Sequence, residues 1–456
     1  MPATTQAVVL LGGTARGLYP LTAAAVPKAL LPVANAPLLR FPLAALERAG
    51  IRHVILVTAG DDAAAMVRPH LEAHPPSGLE WELVEADPDA GSAGAFRAVA
   101  PRLTSREVLV MAGDVVTNVQ LSTMIMAHRV NASVLTVLLG RTRASPSADT
   151  KPGRAPKGVT YIGLDAAQSQ LLCHAAAGDK QLQKLPVLLA PLKRSGPMTL
   201  RTDLVDEHVY VFSREEVLQL LADKPELTSL AGEVVPLLVQ KQFWLRGNLS
   251  QSGDSTEDAA AAQQAPRADS PTLAGAVDSD IDNWQRFNHS AGTAGSQWPG
   301  WCGVVLTKAS EYCERVDSIQ AFGDVNREVS DPSRFEQLTA RKLSKYDNFV
   351  PPSAKLGTRT TVGPSCTVGD GTVLGDKCSV KRSVMGAGCR VGNNVKVANS
   401  VLMDNITIAD GCDIRNSIIC SGCTILEGAT IKDCQVGHGY TVAESADHMD
   451  EVLASS

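Results

Sequence analysis

The chain has 456 residues, of which 44% are hydrophobic, 20% charged and 4% aromatic, and its formal net charge is −6. These values predict about three folded domains and exclude wholesale disorder, and the low aromatic content argues against a stacking surface for single-stranded nucleic acid. No apolar run approaches ~18 residues and no signal peptide is evident, so no membrane span is expected. Ten cysteines in so long a chain fit a reducing cytosol rather than a disulfide scaffold.

Residues 6–245 alternate between short apolar runs and helical patterns. The predicted strands are Ala7–Leu11, His53–Thr58, Trp81–Val84, Val108–Ala112, Ser133–Leu139 and Val209–Phe212. The predicted helices are Pro37–Ala49, Asp61–Glu72, Leu121–Val130 and Arg214–Ala222. Buried strands that alternate with helices indicate an α/β domain with a largely parallel sheet, which we place at 1–246.

Two segments interrupt or follow this pattern. Residues 142–158 are predicted to form a surface loop, and residues 247–300 a disordered linker rich in Gly, Ser and Ala. Part of that linker, 250–282, carries seven acidic residues and one basic residue, which account for the whole net charge. The rest of the chain is formally neutral and offers no overall positive surface for nucleic acid. A connecting segment, 301–349, follows, with a strand at Val304–Leu306 and a helix around Pro332–Lys345.

Beyond residue 350 the chain is periodic. Apolar residues recur every five or six positions, and after Val380 the intervals settle into a repeat of 17 residues, as in Met385, Leu402 and Ile419. The full series is Leu356, Val362, Val368, Leu374, Val380, Met385, Val391, Val397, Leu402, Ile408, Ile414, Ile419, Ile425, Ile431, Val436 and Val442. A coil with three faces and one apolar residue per face explains this hexapeptide pattern. We therefore predict a parallel β-helix at 350–445 that folds as one solenoid, followed by a tail at 446–456.

The cysteines of this region fit the same pattern. Five of them lie four residues after an apolar position, in a slot that Thr360, Thr372 and Ala429 share: Cys366, Cys378, Cys389, Cys412 and Cys423. This predicts a slot for small residues in the solenoid core. The Cys420-x-x-Cys423 pair also permits zinc or redox chemistry, but packing is the preferred interpretation because no second pair at metal spacing accompanies it.

A glycine turn follows the first predicted strand. The sequence from Leu11 to Thr22 begins Leu-Gly-Gly-Thr-Ala-Arg-Gly-Leu, and Pro27-Lys28-Ala29-Leu30-Leu31-Pro32-Val33 comes soon after. Backbone N–H groups of such a turn can approach phosphate oxygens, and Lys28 can return to neutralise them. Together these motifs resemble the sugar-phosphate nucleotidyltransferase family, whose members join a nucleotide to a sugar 1-phosphate.

Further segments carry this resemblance in the same order. Ala90–Ala95, with Gly91 and Ser92, resembles the family segment that contacts the nucleotide base, and Asp114 of Gly113-Asp114 resembles the metal-binding aspartate. Asp206 stands where it can complete a two-carboxylate metal site with Asp114. The resemblance implies a Rossmann-like nucleotidyltransferase domain followed by a left-handed β-helix. Its candidate nucleotide-binding residues are Gly12, Gly13, Lys28, Gly91, Ser92, Asp114 and Asp206.

The departures from the family pattern indicate a decayed site. Gly17 stands at the position of the family's catalytic arginine, with Arg16 one residue away, and His208 replaces a glycine that gives the substrate access to the backbone. Transfer at a phosphate needs charge neutralisation there, so these changes predict a non-catalytic chain with no catalytic residues, metal or cofactor. A vestigial magnesium–nucleotide site is left open.

A nearer resemblance is to the gamma subunits of eukaryotic translation initiation factor 2B. It rests on Asn35–Leu38, Leu204–Tyr210, Val239–Phe243, Ala321–Val329 and Val380–Val384. That family belongs to the guanine-nucleotide exchange complex for initiation factor 2. The resemblance implies partnership with the epsilon subunit and the other subunits of the complex, and only an indirect relation to initiation factor 2.

Two enzymatic alternatives remain. One is an active GDP-mannose or ADP-glucose pyrophosphorylase, against which Gly17 and the 247–300 segment argue. The other is a hexapeptide acyltransferase, which needs a histidine as general base; His438 falls in the last predicted turn of the solenoid, where a solvated end is the simpler interpretation.

Overall fold

The computed structural model describes residues 5–13, 15–22, 26–142, 160–176, 197–243 and 300–454. The predicted loop at 142–158 and the predicted linker at 247–300 lie almost entirely outside the described residues. No helix in the described ranges combines the length and the apolar character that a membrane crossing requires.

The first part of the chain folds around a seven-stranded sheet. All strands are numbered in chain order, and those of this sheet are β1 (Gln6–Leu10), β4 (His53–Ala59), β5 (Glu80–Ala86), β6 (Glu107–Ala112), β8 (Leu135–Arg141), β12 (Leu204–Ser213) and β13 (Cys302–Leu306). Their spatial order is β13-β8-β12-β6-β1-β4-β5. Only β12 is antiparallel to its two neighbours, so the predicted α/β architecture with a largely parallel sheet is confirmed.

Helices cover both faces of this sheet. They are α1 (Arg40–Arg48), α2 (Asp61–Ala73), α3 (Gly91–Val99), α4 (Leu121–Val130), α5 (Arg214–Asp223) and α6 (Val235–Lys241). Alternate strand residues face opposite ways, so Val8 packs among α3, α5 and α6 whereas Val9 packs among α1, α2 and α4. The smaller strands are β2 (Pro32–Val33), β3 (Ala36–Pro37), β7 (Val115–Thr117), β9 (Thr160–Leu164), β10 (Leu171–Ala176) and β11 (Thr199–Arg201).

The segment predicted as a connector contributes to both domains. Strand β13 (Cys302–Leu306) forms the edge of the main sheet beside β8, so the sheet extends beyond the border predicted at 246. Strand β14 (Cys313–Arg315) then pairs with β7, and helices α7 (Ile319–Val329) and α8 (Pro332–Thr339) follow. Helix α7 was not predicted, because its middle carries Gly323, Asp324 and Asn326, which are poor helix formers.

The remainder of the chain is a three-faced solenoid of three six-stranded parallel sheets. Its strands, β15 to β32, are Lys355–Leu356, Thr361–Val362, Thr367–Val368, Val373–Leu374, Ser379–Lys381, Val384–Met385, Arg390–Val391, Lys396–Ala398, Val401–Leu402, Thr407–Ile408, Asp413–Arg415, Ile418–Ile419, Thr424–Ile425, Thr430–Lys432, Gln435–Val436, Thr441–Val442, Asp447–Met449 and Val452–Leu453. Every apolar position of the predicted series lies in one of these strands, and the predicted left-handed β-helix is confirmed.

The end of the solenoid differs from the prediction. Residues 446–456 were predicted as a tail, but β31 (Asp447–Met449) and β32 (Val452–Leu453) pair with the coil below. The apolar series missed this turn because His448 occupies the expected apolar position. The small-residue slot is confirmed: Cys366, Cys378, Cys389, Cys412 and Cys423 are all buried in the solenoid core.

A separate apolar cluster joins the solenoid to the α/β domain. Phe322 and Val325 of α7 pack with one outer row of the solenoid, Val384, Val401 and Ile418, and with residues 31–41 of the α/β domain. The Asn35 side chain adds a hydrogen bond of 2.7 Å to the Met385 carbonyl. Helix α7 therefore lies between the two domains and contacts both.

Candidate functional site

The predicted site residues come together at the carboxyl ends of the central strands. Gly12 and Gly13 follow β1, and Asp114 follows β6, which lies beside β1 in the sheet. This edge is where open α/β sheets place their ligands. A cavity of about 280 Å³ opens there, and its lining includes Gly12, Gly13, Lys28, Ser92 and Asp114.

Two further cavities adjoin the first. One, of about 420 Å³, contains Asp206 and shares His208 and Arg315 with the first cavity. The other, of about 280 Å³, is lined by Gly91 and Ser92 together with Gly12 and Gly13. All seven residues predicted from the sequence therefore lie around one connected region.

Asp114 is buried and engaged by two cations. The guanidinium of Arg315 donates from Nε to Oδ1 at 3.2 Å and from Nη2 to Oδ2 at 2.9 Å, and the Lys28 ammonium also contacts Oδ2. Burial by itself raises the pKa of Asp114, but the charges of Arg315 and Lys28 outweigh it and lower the pKa to about 2. The carboxyl is therefore ionised and its charge is already neutralised from within the chain.

Sequence reasoning missed Arg315. It reaches Asp114 because β14 (Cys313–Arg315) pairs antiparallel with β7 (Val115–Thr117), which places Arg315 opposite Val115. The two partners are 201 residues apart, and no local pattern marks the arginine. A polar strand end at Glu314-Arg315, directly after the apolar Tyr312-Cys313, is the only signal that the sequence offers.

The position of the family's catalytic arginine is closed to any side chain. A Cβ atom on Gly17 would stand 2.5 Å from the carbonyl oxygen of Asp317 and 3.6 Å from the Cα of Ser318. Real Cβ atoms do not approach a backbone oxygen so closely, so residues 317–318 occupy the space that an arginine here would need. The side chain of Arg16 lies outside the described residues.

The segment predicted to contact a nucleotide base is covered by another part of the chain. Gly91 has a φ of +65°, and a Cβ there would meet the Thr228 carbonyl oxygen at 2.3 Å. The same oxygen accepts a hydrogen bond of 2.9 Å from the Ala93 N–H, and the Ser92 hydroxyl oxygen accepts one of 2.8 Å from the Leu230 N–H. Residues 228–230 therefore use the polar groups that were predicted to serve a ligand, at the start of helix α3.

Asp206 of β12 lies in a buried hydrogen-bond network that includes His174 of β10. Its Oδ2 accepts from His174 Nε2 at 3.0 Å and from the Tyr210 hydroxyl at 2.8 Å, and its Oδ1 accepts from the His208 N–H at 2.8 Å. Burial raises the pKa of Asp206, but the His174 hydrogen bond and the nearby histidines lower it to about 2. The other ring nitrogen of His174, Nδ1, is buried and has no partner among the described residues.

His208 explains why the family pattern has glycine at this position. Its φ is +53°, the left-handed region that glycine adopts without strain, and the irregular pairing of β12 with β8 falls between Asp206 and Tyr210. The imidazole enters both cavities, and burial together with the charge of Arg315 lowers its pKa to about 4. A neutral, bulky ring therefore fills space that a glycine leaves open.

Glu207 is a second group that the sequence did not single out. It lies beside Cys313 and Glu314, and burial followed by the charge of Glu314 raises its pKa to about 8. Its carboxylate stands where a Cβ on Gly140 of β8 would be, at 1.6 Å from that position. At neutral pH this carboxyl therefore holds its proton.

The residues present do not fit a magnesium ion. Both oxygens of Asp114 face cationic groups of Lys28 and Arg315, and both oxygens of Asp206 already accept hydrogen bonds. A divalent ion beside two cationic side chains is strongly disfavoured. The vestigial magnesium site that the sequence left open therefore has no suitable ligand set in this arrangement.

The other singled-out residues lie away from this region. His438 is exposed on the solenoid, one coil before its end. Cys420 and Cys423 are both buried, but Cys423 faces the solenoid core whereas Cys420 packs in the cluster that meets helix α7. The two thiols therefore belong to different packing environments.

Two family models match the chain. A nucleotidyl transferase model covers residues 6–149, and a model of the β-helix domain of the eIF2B epsilon subunit covers residues 346–447. Curated relatives include the translation initiation factor eIF2B subunit gamma of Schizosaccharomyces pombe, 31% identical over 265 residues, and that of Dictyostelium discoideum, 26% identical over 404 residues. The chain is similar in sequence to the eIF2B gamma subunits.

The extent of these matches differs. The alignment with the Schizosaccharomyces pombe protein spans 55% of this chain and 55% of that protein. The alignment with the Dictyostelium discoideum protein spans 84% of this chain and 88% of that protein. A mannose-1-phosphate guanylyltransferase of Mycobacterium tuberculosis is 36% identical over 136 residues, which is 30% of this chain and 37% of that enzyme. The similarity to this enzyme therefore concerns a limited part of the chain.

Proposed function

We propose that this chain is a non-catalytic, gamma-type subunit of a translation initiation factor 2B complex in the cytosol. There it pairs with an epsilon-type subunit and supports guanine-nucleotide exchange on initiation factor 2. The similarity to eIF2B gamma subunits and to the β-helix of an epsilon subunit supports membership of such a complex. The contacts of Asp114 and Gly17 support the absence of catalysis.

One observation carries the non-catalytic part of this proposal. Residues 315–318 fill the phosphate side of the site: Arg315 neutralises Asp114, and the Asp317 carbonyl blocks Gly17. Transfer of a nucleotide needs a metal or a cation free to stabilise the developing charge on the phosphate. Here Asp114 is paired with an internal arginine, and glycine stands at the position of the family's catalytic arginine.

The chemical test is an assay of the purified full chain. We expect no release of pyrophosphate from ATP, GTP, UTP or dTTP with any sugar 1-phosphate, with or without magnesium, while a mannose-1-phosphate guanylyltransferase run in parallel is active. Turnover above ~1 s⁻¹, within the usual range of enzymes, would overturn the non-catalytic assignment.

The assembly test is co-purification. We expect the full chain to recover an epsilon-type subunit at near equal stoichiometry, and deletion from Val380 onward to abolish recovery because it removes most of the solenoid. A monodisperse monomer that ignores added epsilon-type subunit, as judged by size exclusion with light scattering, would rule out the subunit assignment.

An active nucleotidyltransferase is the second candidate. The observation in its favour is the retained glycine turn with Lys28 at the mouth of the 280 Å³ cavity, together with the guanylyltransferase similarity over 136 residues. The pyrophosphate assay separates the two functions, since only this candidate requires product.

A further inference from the structure

A cavity outside the site described above lies beside helices α1 and α2. Its volume is about 480 Å³, within the range of small-molecule sites, and it is also lined by the end of helix α8 and by Arg341. Its floor includes Leu43 and Leu71, which are buried, and Leu338 closes it from the α8 side. None of the residues that line it belongs to the three cavities around Asp114.

Three arginines line this cavity: Arg40, Arg48 and Arg341. Arg40 is exposed at the start of α1, and Arg341 is half-buried just beyond α8. Among the described residues neither forms a salt bridge within 4.0 Å, although Glu47 lies close enough to Arg40, and Asp370 to Arg341, for their charges to interact. Burial, and then the charge of Arg40, lower the pKa of Arg341 against the opposing charge of Asp370, which indicates that the two arginines are close.

Arg341 is held in place by the backbone. Its Nη1 and Nη2 donate to the carbonyl oxygens of Ala34 and Asn35 at 3.4 and 3.3 Å, and its guanidinium lies 5.3 Å from the ring centroid of Phe349. A guanidinium oriented in this way loses little conformational entropy when an anion arrives. A solvated surface arginine does not need such contacts, so the fixed guanidinium of Arg341 is consistent with a binding role.

The remaining polar groups add to this pattern. His70 and His74 at the end of α2 also line the cavity, with their rings stacked at 5.1 Å, and Arg48 donates to the Thr117 carbonyl at 2.8 Å. The acidic residue that lines the cavity is Glu47; burial raises the pKa of its carboxyl, and the charges of Arg40 and Arg48 offset part of that rise. Positive groups therefore outnumber negative ones around an apolar floor.

We propose that this cavity binds a small organic phosphate, with the phosphate group between Arg40 and Arg341 and the organic part on Leu43, Leu71 and Leu338. Guanidinium groups match phosphate oxygens in geometry, and the apolar floor favours an organic ligand over inorganic phosphate. This proposal is independent of the function proposed above, because the cavity shares no lining residue with the Asp114 site.

The test uses phenyl phosphate, inorganic phosphate and phenol as probes, titrated calorimetrically into the full chain. We expect saturable binding of phenyl phosphate, weaker binding of inorganic phosphate and none of phenol. Arg40→Ala and Arg341→Ala should each weaken phenyl phosphate binding roughly tenfold, as loss of a charge-assisted contact does. Arg68→Ala, on an exposed part of α2 outside the cavity, should leave it unchanged.

A further variant distinguishes binding in this cavity from binding at the glycine turn near Asp114. Lys28→Gln alters the Asp114 site but not this cavity, so phenyl phosphate binding should be unaffected. Loss of binding in Lys28→Gln with retention in Arg40→Ala would place the ligand at the glycine turn and overturn the proposal. Absence of saturable binding up to ~10 mM, far weaker than specific small-molecule sites, would overturn it as well. Arg40 is exposed, so its variant tests the site even if Arg341→Ala melts early.

Discussion

At the scale of single residues, the site is defined by contacts between distant parts of the chain. Gly17 lies under the Asp317 carbonyl, and Asp114 holds Arg315 and Lys28. In a nucleotide site the corresponding positions contact the ligand, whereas here each of them contacts another residue of the protein. Substitutions that restore the family residue should therefore disturb packing before they restore chemistry.

Gly17→Arg tests this directly. The new Cβ would overlap the Asp317 carbonyl oxygen, 2.5 Å away, so we expect no gain of nucleotidyl transfer and a loss of about 1–3 kcal/mol in unfolding free energy. Denaturant unfolding measures the loss, and Gly17→Ala should show it too because a Cβ is enough. Ala65→Arg, at an exposed position of α2, is the control and should change stability by less than ~0.5 kcal/mol. Activity with unchanged stability in Gly17→Arg would contradict the packing argument.

Glu207 predicts a dependence of stability on pH. Its pKa rises from 4.5 to about 8 on folding, so between these values the folded state binds a proton that the unfolded chain has released. Stability must then fall as pH rises through this window, and the fall ends above pH 8.

Glu207→Gln removes this titration while keeping the shape of the side chain. We expect its melting temperature to match that of the wild type near pH 5 and to exceed it by roughly several degrees near pH 9. The exposed Glu72→Gln should follow the wild type at both pH values. An equal difference between Glu207→Gln and the wild type at both pH values would show that Glu207 is ionised when folded.

At the scale of elements, helix α7 depends on one buried amide. Asn326 is fully buried; its Oδ1 accepts from the Ala34 N–H at 2.9 Å, and its Nδ2 donates to the carbonyl oxygens of Phe322 at 2.9 Å and Pro32 at 3.4 Å. These bonds attach α7 to residues 32–34 of the α/β domain. Arg327, the next residue, donates to the Asn399 carbonyl of the solenoid at 3.2 Å. Asn326 therefore bonds to the α/β domain and the adjacent Arg327 to the solenoid.

Asn326→Ala should loosen this attachment. It leaves the Ala34 N–H without its acceptor in a buried position, which costs about 1–3 kcal/mol. We expect a lower midpoint of denaturant unfolding, with Lys342→Ala, at an exposed position beyond α8, as a control that changes it little. If both variants unfold at the same midpoint as the wild type, the amide does not hold the helix in place.

At the scale of the whole molecule, the solenoid and the α/β domain share one apolar cluster rather than a flexible joint. The same solenoid row that meets α7 repeats every 17 residues, so each coil adds one side chain to the contact: Val384, Val401 and Ile418. A shared apolar surface of this kind favours one relative position of the two domains.

The long segment between α6 and β13 is expected to be dispensable for this arrangement. Gln242 at the end of α6 accepts from the Cys302 N–H at 3.3 Å through its Oε1, so the two ends of the segment are already close. Replacing residues 247–299 with a short Gly/Ser linker should leave the melting temperature nearly unchanged, because loop-closure entropy varies slowly with length. A loss of more than several degrees would show that the segment packs on a domain.

The sequence by itself determined the features that depend on local order. The alternation of apolar strands and helices specified the α/β domain, and the five- and six-residue spacing specified the solenoid, because side-chain direction repeats with the period of each element. Even the small-residue slot of Cys366 and Cys378 followed from spacing alone. That Gly12, Lys28 and Asp114 belong to one site was implied by the resemblance to nucleotidyltransferases, and all three line one cavity.

Only the tertiary structure decided what those site residues contact. Arg315 meets Asp114 across 201 residues, and Asp317 closes the space beside Gly17 from still farther along the chain, because β14 pairs with β7. Neither contact can be recognised from a sequence pattern, because a single ion pair or carbonyl contact produces no repeat in the sequence. The polar centre of α7 was missed for the same reason: Asn326 is a poor helix former by propensity, and it is tolerated because distant backbone groups of Pro32 and Ala34 bond to its side chain.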